Sequence, residues 1–193
     1  MASSLRAWLA AALLAPALAA AASLEGVQVD DSVRAGKTDL VLNGLGLRTR
    51  FIFNVYVAGL YLPEKARSAE TALAMKGPKR MTLVMLRDVG AEEFGEALLK
   101  GLRSNVPNAE LEKLKDKVDD LLGRIAAIGE AKKGMVIDLD YSANPGTTMK
   151  VNGVPQGKPI GGEAFFHALL SIWLGAKPVQ PDLKDALLGG SAK

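Results

Sequence analysis

Residues 43–63, "NGLGLRTRFIFNVYVAGLYLP", decide how this chain folds. From 47 to 62 the segment is rich in Val, Phe, Tyr and Leu, which suit a pleated, half-buried surface, and Pro63 closes it, so it reads as one long strand. Along such a strand Phe51, Phe53, Val55 and Val57 share one face, while Arg48, Arg50, Ile52, Asn54 and Tyr56 share the other. The second face is unusually polar for so apolar a segment. Two interpretations stand open. It is the solvent side of an antiparallel sheet, or a guanidinium and a phenol meet at the mouth of an apolar cavity, where the first binds a carboxylate bidentately and the second adds a donor. A straight strand would separate Arg48 from Tyr56 by about 26 Å. The two can share a ligand only if the chain folds back between them.

Upstream, 26–33 and 37–42 alternate and predict two further strands, punctuated by Gly36 and Asn43-Gly44. No helix follows Gly44-Leu45-Gly46, so this is not a phosphate loop. Downstream, a short helix over 68–75 leads to Gly77-Pro78 and a strand in "KRMTLVMLRDV". The period then switches to 3.6 over 91–103, with Phe94, Leu98 and Leu102 on one face. Glu92 and Glu93 open that helix and Lys100 and Arg103 close it, matching its dipole. Beyond Pro107, Leu111, Leu114, Val118, Leu121, Leu122 and Ile125 predict a second amphipathic helix whose charges are a solvated face. Residues 135–141 and 147–151 alternate around Asn144-Pro145-Gly146, and Asn152-Gly153 is the pair a type I′ hairpin favours. Residues 163–174 are apolar on most sides and predict a buried helix. A last helix follows Pro181 and stops at Gly189-Gly190. This order is α+β: an antiparallel sheet with its helices collected on one face. Such layers can hold an apolar ligand between them.

The 193 residues suffice for one domain with a substantial core. Residues 1–22 carry a lone early charge at Arg6, an apolar run and small residues suited to cleavage, and read as a secretory signal peptide. The run is too short for a spanning helix and is broken by Pro16. The expected mature domain is 23–193, exported and periplasmic. There is no cysteine, which excludes disulfide and thiolate chemistry. The net charge is +3 with acidic and basic residues interleaved, unlike a nucleic-acid surface. His167 is the one histidine, so a zinc site of His and Cys ligands is excluded and a catalytic triad would depend on this imidazole. Beside Phe165 and Phe166 it is expected to be a hydrogen-bonded packing residue. Asp138 and Asp140 share one strand face, an acid–base pattern that a half-exposed meander more commonly turns outward. No metal or cofactor is expected.

"GLGLRTRFIFNVYVAGLYLP", "MLRDVGAEEF" and "ALLSIWLGAKPVQPDLKDALLG" together resemble the chalcone isomerase-like family, in its bacterial exported branch, over nearly all of 23–193. The resemblance implies an open-faced β-sandwich, a large antiparallel sheet covered by a layer of helices. The plant enzymes of the family cyclise a chalcone to a flavanone by adding a phenolate to an enone, using an arginine, a threonine, a lysine, a tyrosine and an asparagine. The family's arginine falls on Arg48, in "GLRT", or on Arg50 if the register is shifted by two. Between Arg48 and Gly59 the chain is shorter than the family, which implies a tighter turn.

The threonine position falls on Tyr56, the replacement found in fatty-acid-binding members, where arginine and tyrosine hold the carboxylate. The tyrosine position falls on Phe94 and the asparagine on Gly101. The lysine has no match near 85–87, while a serine or threonine of the C-terminal helix matches Ser171. Without those donors an enone oxygen lacks preorganised stabilisation. The resemblance thus implies a non-catalytic protein of the cell envelope that binds a fatty acid or similar apolar carboxylate. Arg48, Arg50, Tyr56, Phe94 and Ser171 are its expected ligand-binding residues, with Phe51, Phe53 and Trp173 adding contacts to the tail. An isomerase or lyase acting on an enone is the alternative, and a protein-interaction module with a vestigial pocket is a second.

Overall fold

The computed structural model describes residues 21–190. The expected signal peptide lies outside the described residues except for Ala21 and Ala22, which begin strand β1 (Ala21–Leu24). β1 pairs with β2 (Val27–Asp30) in a separate hairpin closed by Glu25 and Gly26, both at positive φ (51° and 76°). The expected strand 26–33 is therefore divided. It breaks at Asp31, whose carbonyl accepts from the Leu42 N–H (2.8 Å), and β3 (Ser32–Ala35) joins a different sheet.

The segment read as one strand over 47–62 is two. β4 (Thr38–Arg50) and β5 (Phe53–Leu62) form a hairpin that reverses at Phe51-Ile52. Neither tip residue is a usual turn former, which is why the reversal left no mark in the composition. Arg48 stands directly opposite Tyr56. The separation of a straight strand collapses to the roughly 5 Å of a cross-strand pair.

After α1 (Ala69–Ala74), capped by the Ser68 hydroxyl, come β6 (Lys79–Met85) and the short β7 (Val89–Gly90). Two amphipathic helices follow, α2 (Ala91–Asn105) and α3 (Asn108–Ile128). β8 (Glu130–Ala131) pairs with β7, and β9 (Val136–Ser142) and β10 (Gly146–Val151) return to the main sheet. β10 turns at Asn152-Gly153, both at positive φ (48° and 80°) as a type I′ turn requires, into β11 (Val154–Pro155). The chain ends in α4 (Glu163–Leu174) and α5 (Pro181–Leu187).

The main sheet has seven strands in the order β11-β10-β9-β6-β5-β4-β3, and every neighbouring pair is antiparallel. One face carries Ala58, Leu60, Met81, Leu83, Ile137, Leu139 and Met149. These pack beneath Leu98 and Leu102 of α2, Leu121 and Ile125 of α3 and Phe165, Leu169 and Ile172 of α4 in one core. The other face carries a small second cluster, Val29, Leu40, Leu42 and Tyr61, beneath the β1–β2 hairpin. This is the α+β, open-faced sandwich that the sequence predicts.

Asn43-Gly44 does not end a strand, as its composition suggests. Leu42 pairs with Tyr61 but Gly44 with Leu60, so Asn43 is an extra, bulged residue inside β4. The bulge moves the following even-numbered residues to the opposite face. Leu40 and Leu42 face the second cluster, whereas Gly44 and Gly46 face α5. A methyl group on Gly44 would stand 2.1 Å from the Ala186 carbonyl oxygen, and one on Gly46 would stand 2.7 Å from Leu183. The two glycines let α5 lie directly on β4, and the bulge is fastened to the same layer. Asn43 Nδ2 donates to the carbonyls of Ala66 (3.0 Å) and Leu187 (2.7 Å), and its Oδ1 accepts from the Ala66 N–H (2.6 Å).

Asn43→Ala would leave three buried backbone groups unpartnered, and is expected to lower unfolding free energy by about 3 kcal/mol or more in urea titration. Gly123→Ala, on an exposed stretch of α3 with nothing within 4 Å of the added methyl, should instead raise it by about 0.5–1 kcal/mol.

Candidate functional site

Between sheet and helices lies a cavity of about 790 Å³, counting its open mouth. Its floor is Leu83, Ile137, Leu139 and Met149; its roof is Phe94, Ala97 and Leu98 of α2, Leu121 and Ile125 of α3, and Ile172 and Trp173 of α4. Among the lining residues the charged groups and the phenol are Arg48, Arg50, Tyr56 and Glu93, three of them from the β4–β5 hairpin and one from the first turn of α2.

Tyr56 is 8% exposed. Its hydroxyl oxygen accepts a hydrogen bond from Trp173 Nε1 (3.1 Å), which leaves the phenolic proton free to be donated. Burial pushes the phenol's pKa above its ordinary value, partly offset by the Trp173 bond and the charge of Arg48. Tyr56 is thus a neutral donor at physiological pH.

Arg48 is half-buried. One guanidinium nitrogen donates to the Thr49 carbonyl (2.7 Å) and to Gln180 Oε1 (3.2 Å). The same Gln180 oxygen accepts from the Thr49 N–H (2.9 Å), and its amide nitrogen donates to the Leu47 carbonyl (3.3 Å). Gln180 stands at the N-cap of α5, so the helix seated on Gly44 and Gly46 also fixes the arginine. No carboxylate among the described residues pairs with Arg48. Arg50, in contrast, is paired with Glu93 across the mouth, both side chains being 55% exposed. Arg48 is therefore the cation left with neutral partners only.

The structure distributes the expected site residues unequally. Arg48, Arg50, Tyr56, Phe94 and Trp173 all line the cavity. Ser171 does not; it is buried within α4 and donates to the Ala168 carbonyl (2.6 Å). Phe51 and Phe53 also stay outside, at 90% and 52% exposure, because the chain reverses at Phe51 instead of continuing across the sheet. Asn54 leaves the face of Arg48 as well. A second register shift places Val55 as an extra residue, so Asn54 pairs with Thr49 and donates to Glu25 of the β1–β2 turn (2.9 Å). Gly101 sits where α2 crosses α4, and a methyl group there would meet Ile172 at 2.7 Å. Helix packing itself excludes an amide side chain at that position.

His167 is exposed and not the packed residue its apolar neighbours suggest. It borders a small crevice with Lys79 and Tyr141, apart from the cavity. Gln180 was not anticipated at all, since nothing local marks a glutamine that acts on a strand so distant in sequence.

Asp138 and Asp140 lie on the face away from the helices and make structural bonds. Asp138 accepts from the Thr82 hydroxyl (2.6 Å); Asp140 pairs with Arg80 and with Lys150 (2.7 Å).

The architecture is similar to that of a solved fatty-acid binding protein of Arabidopsis thaliana, AtFAP1. The match has a TM-score of 0.68 and covers 88% of this chain and 96% of that one at 13% identity, a likeness of fold. No curated protein matches the sequence. The family model of chalcone isomerase-like proteins matches residues 21–189, and the chain belongs to the chalcone isomerase-like family.

Burial alone would push the Asp140 carboxyl up, but the hydrogen bonds and charges of Arg80 and Lys150 outweigh it and hold its pKa below the ordinary value. A depressed folded-state value stabilises above the unfolded one and is lost as pH falls through it. The acid limb of the stability profile should therefore steepen below about pH 4. Asp140→Asn should cost about 2 kcal/mol at neutral pH and flatten that limb, as read by urea titrations at stepped pH.

Proposed function

We propose that this protein binds a fatty acid or a similar apolar carboxylate in the cell envelope and does not turn it over. The observation that carries this reading is the half-buried Arg48 guanidinium at an apolar cavity, held by neutral groups and facing no carboxylate of its own. A charge withdrawn from water without a counter-charge is unfavourable by several kcal/mol, and a ligand carboxylate would supply the missing partner. The free proton of Tyr56, paired across the strands from Arg48, offers that anion a second donor. The methylenes behind it would be buried against Leu83, Leu121, Ile137, Leu139 and Met149, at about 0.8 kcal/mol each. The Arabidopsis protein of similar fold is a fatty-acid binding protein, which agrees in ligand class.

An enone reaction finds no support at the positions where the resemblance places the family's donors. Phe94 has no hydroxyl and Gly101 no side chain, so a developing oxyanion would lack them. A vestigial pocket is disfavoured by the open cavity itself. Location in the cell envelope rests on the leader read at 1–22, and N-terminal sequencing of the protein from fractionated cells would test it.

Organic extraction of freshly purified protein, with native mass spectrometry, is expected to release a long-chain acid. By calorimetry, saturated alkanoates should bind about fourfold more tightly per added methylene until the cavity is filled. Arg48→Gln should weaken binding about 10- to 100-fold and Tyr56→Phe about tenfold. Unchanged affinity in Arg48→Gln would remove the arginine from this role, and flavanone formation from a chalcone above the uncatalysed rate would overturn the non-catalytic assignment.

A further inference from the structure

Among the described residues the exposed large hydrophobic side chains are Phe51, Ile52, Phe53 and Val154, at 90%, 88%, 52% and 61%. Three of the four are consecutive and form the tip of the β4–β5 hairpin. Phe51 also has a φ of 56°, in the left-handed region that a bulky side chain disfavours. Asn or Gly at this turn would relieve both the exposure and the strain. Aromatic and branched side chains in this place need an explanation in what they touch.

Directly behind the tip stand two cations. The Arg50 guanidinium lies 5.9 Å from the centroid of the Phe51 ring and that of Arg87 lies 4.9 Å from the Phe53 ring. An apolar point backed by arginines has the polarity profile of a bilayer interface, with rings and branched chains at the acyl boundary and guanidinium groups level with the phosphates. The tip is also continuous with the cavity mouth, because Arg50 lines the cavity and Tyr56 follows shortly after Phe53. No helix among the described residues is long and apolar enough to cross a membrane.

We propose that the Phe51-Ile52-Phe53 tip docks on a phospholipid bilayer, inserting its apolar side chains between headgroups while Arg87, and the guanidinium N–H groups of Arg50 not taken by Glu93, engage lipid phosphates. Resting on the ligand proposed above, this places the mouth against the reservoir of an apolar acid. The acid then passes between acyl chains and cavity without full exposure to water, where it would lose the free energy of its buried methylenes.

Flotation with vesicles of phosphatidylcholine and phosphatidylglycerol in equal parts tests the proposal. The natural protein should float with the vesicles. Phe51→Gly and Ile52→Ser combined should reduce the bound fraction at least about tenfold, with the thermal transition retained or raised, since glycine suits the turn. Palmitate affinity in vesicle-free buffer should not change, as neither side chain lines the cavity. No flotation of the natural protein, or equal flotation of the variant, would overturn the proposal. So would a tip-dependent dimer without vesicle binding, which would assign the tip to a second copy of the chain. The two proposals fail separately: tip-dependent flotation without palmitate binding keeps the docking surface and removes the ligand, and the converse keeps the ligand alone.

Discussion

Asn43 sets which side of β4 meets the helices. Before it, even-numbered residues pack against the β1–β2 hairpin; after it, even-numbered residues face the helical layer. A one-residue shift reverses every later side chain in a strand, so without the bulge Arg48 would be carried to the opposite face. The shift is held by three hydrogen bonds to buried backbone groups of the 63–68 loop and α5. An unmade hydrogen bond in that setting costs more than a made one contributes, which gives the bulge its rigidity.

The same contact region ties the C-terminus to the site. Two glycines without side chains on β4 bring α5 against the strand, and α5 begins at Gln180, whose amide bridges Leu47, Arg48 and Thr49. Placement of one guanidinium thus depends on a helix cap 132 residues away in sequence. Long, rotamer-rich arginines lose side-chain entropy when they are ordered, and the fixed Gln180 amide holds this guanidinium in one arrangement.

The two faces of the sheet treat charge differently. On the outer face Arg80 and Lys150 share the Asp140 carboxylate, and Asp138 accepts from Thr82. At the mouth Arg50 has Glu93. Arg48 alone of this group reaches an apolar cavity with neutral acceptors only. That asymmetry separates structural ion pairs from a cation bonded to neutral acceptors alone, a distinction that residue types in the sequence do not make.

Elements whose signal is local were legible along the chain. Apolar periodicity located α2 to within two residues and the start and apolar face of α3, apolar saturation located α4, and Asn152-Gly153 located its turn, because helix and turn preferences act over neighbouring residues. The motif match located Arg48, Tyr56 and Phe94 at the cavity. The reversal at Phe51-Ile52, the bulges at Asn43 and Val55, the hold of Gln180 on Arg48, and the exposure of His167 came from the folded arrangement alone. Each of these is set by which distant backbone lies alongside. Pairing register and close approach are properties of two segments at once, and no window along one of them contains the other.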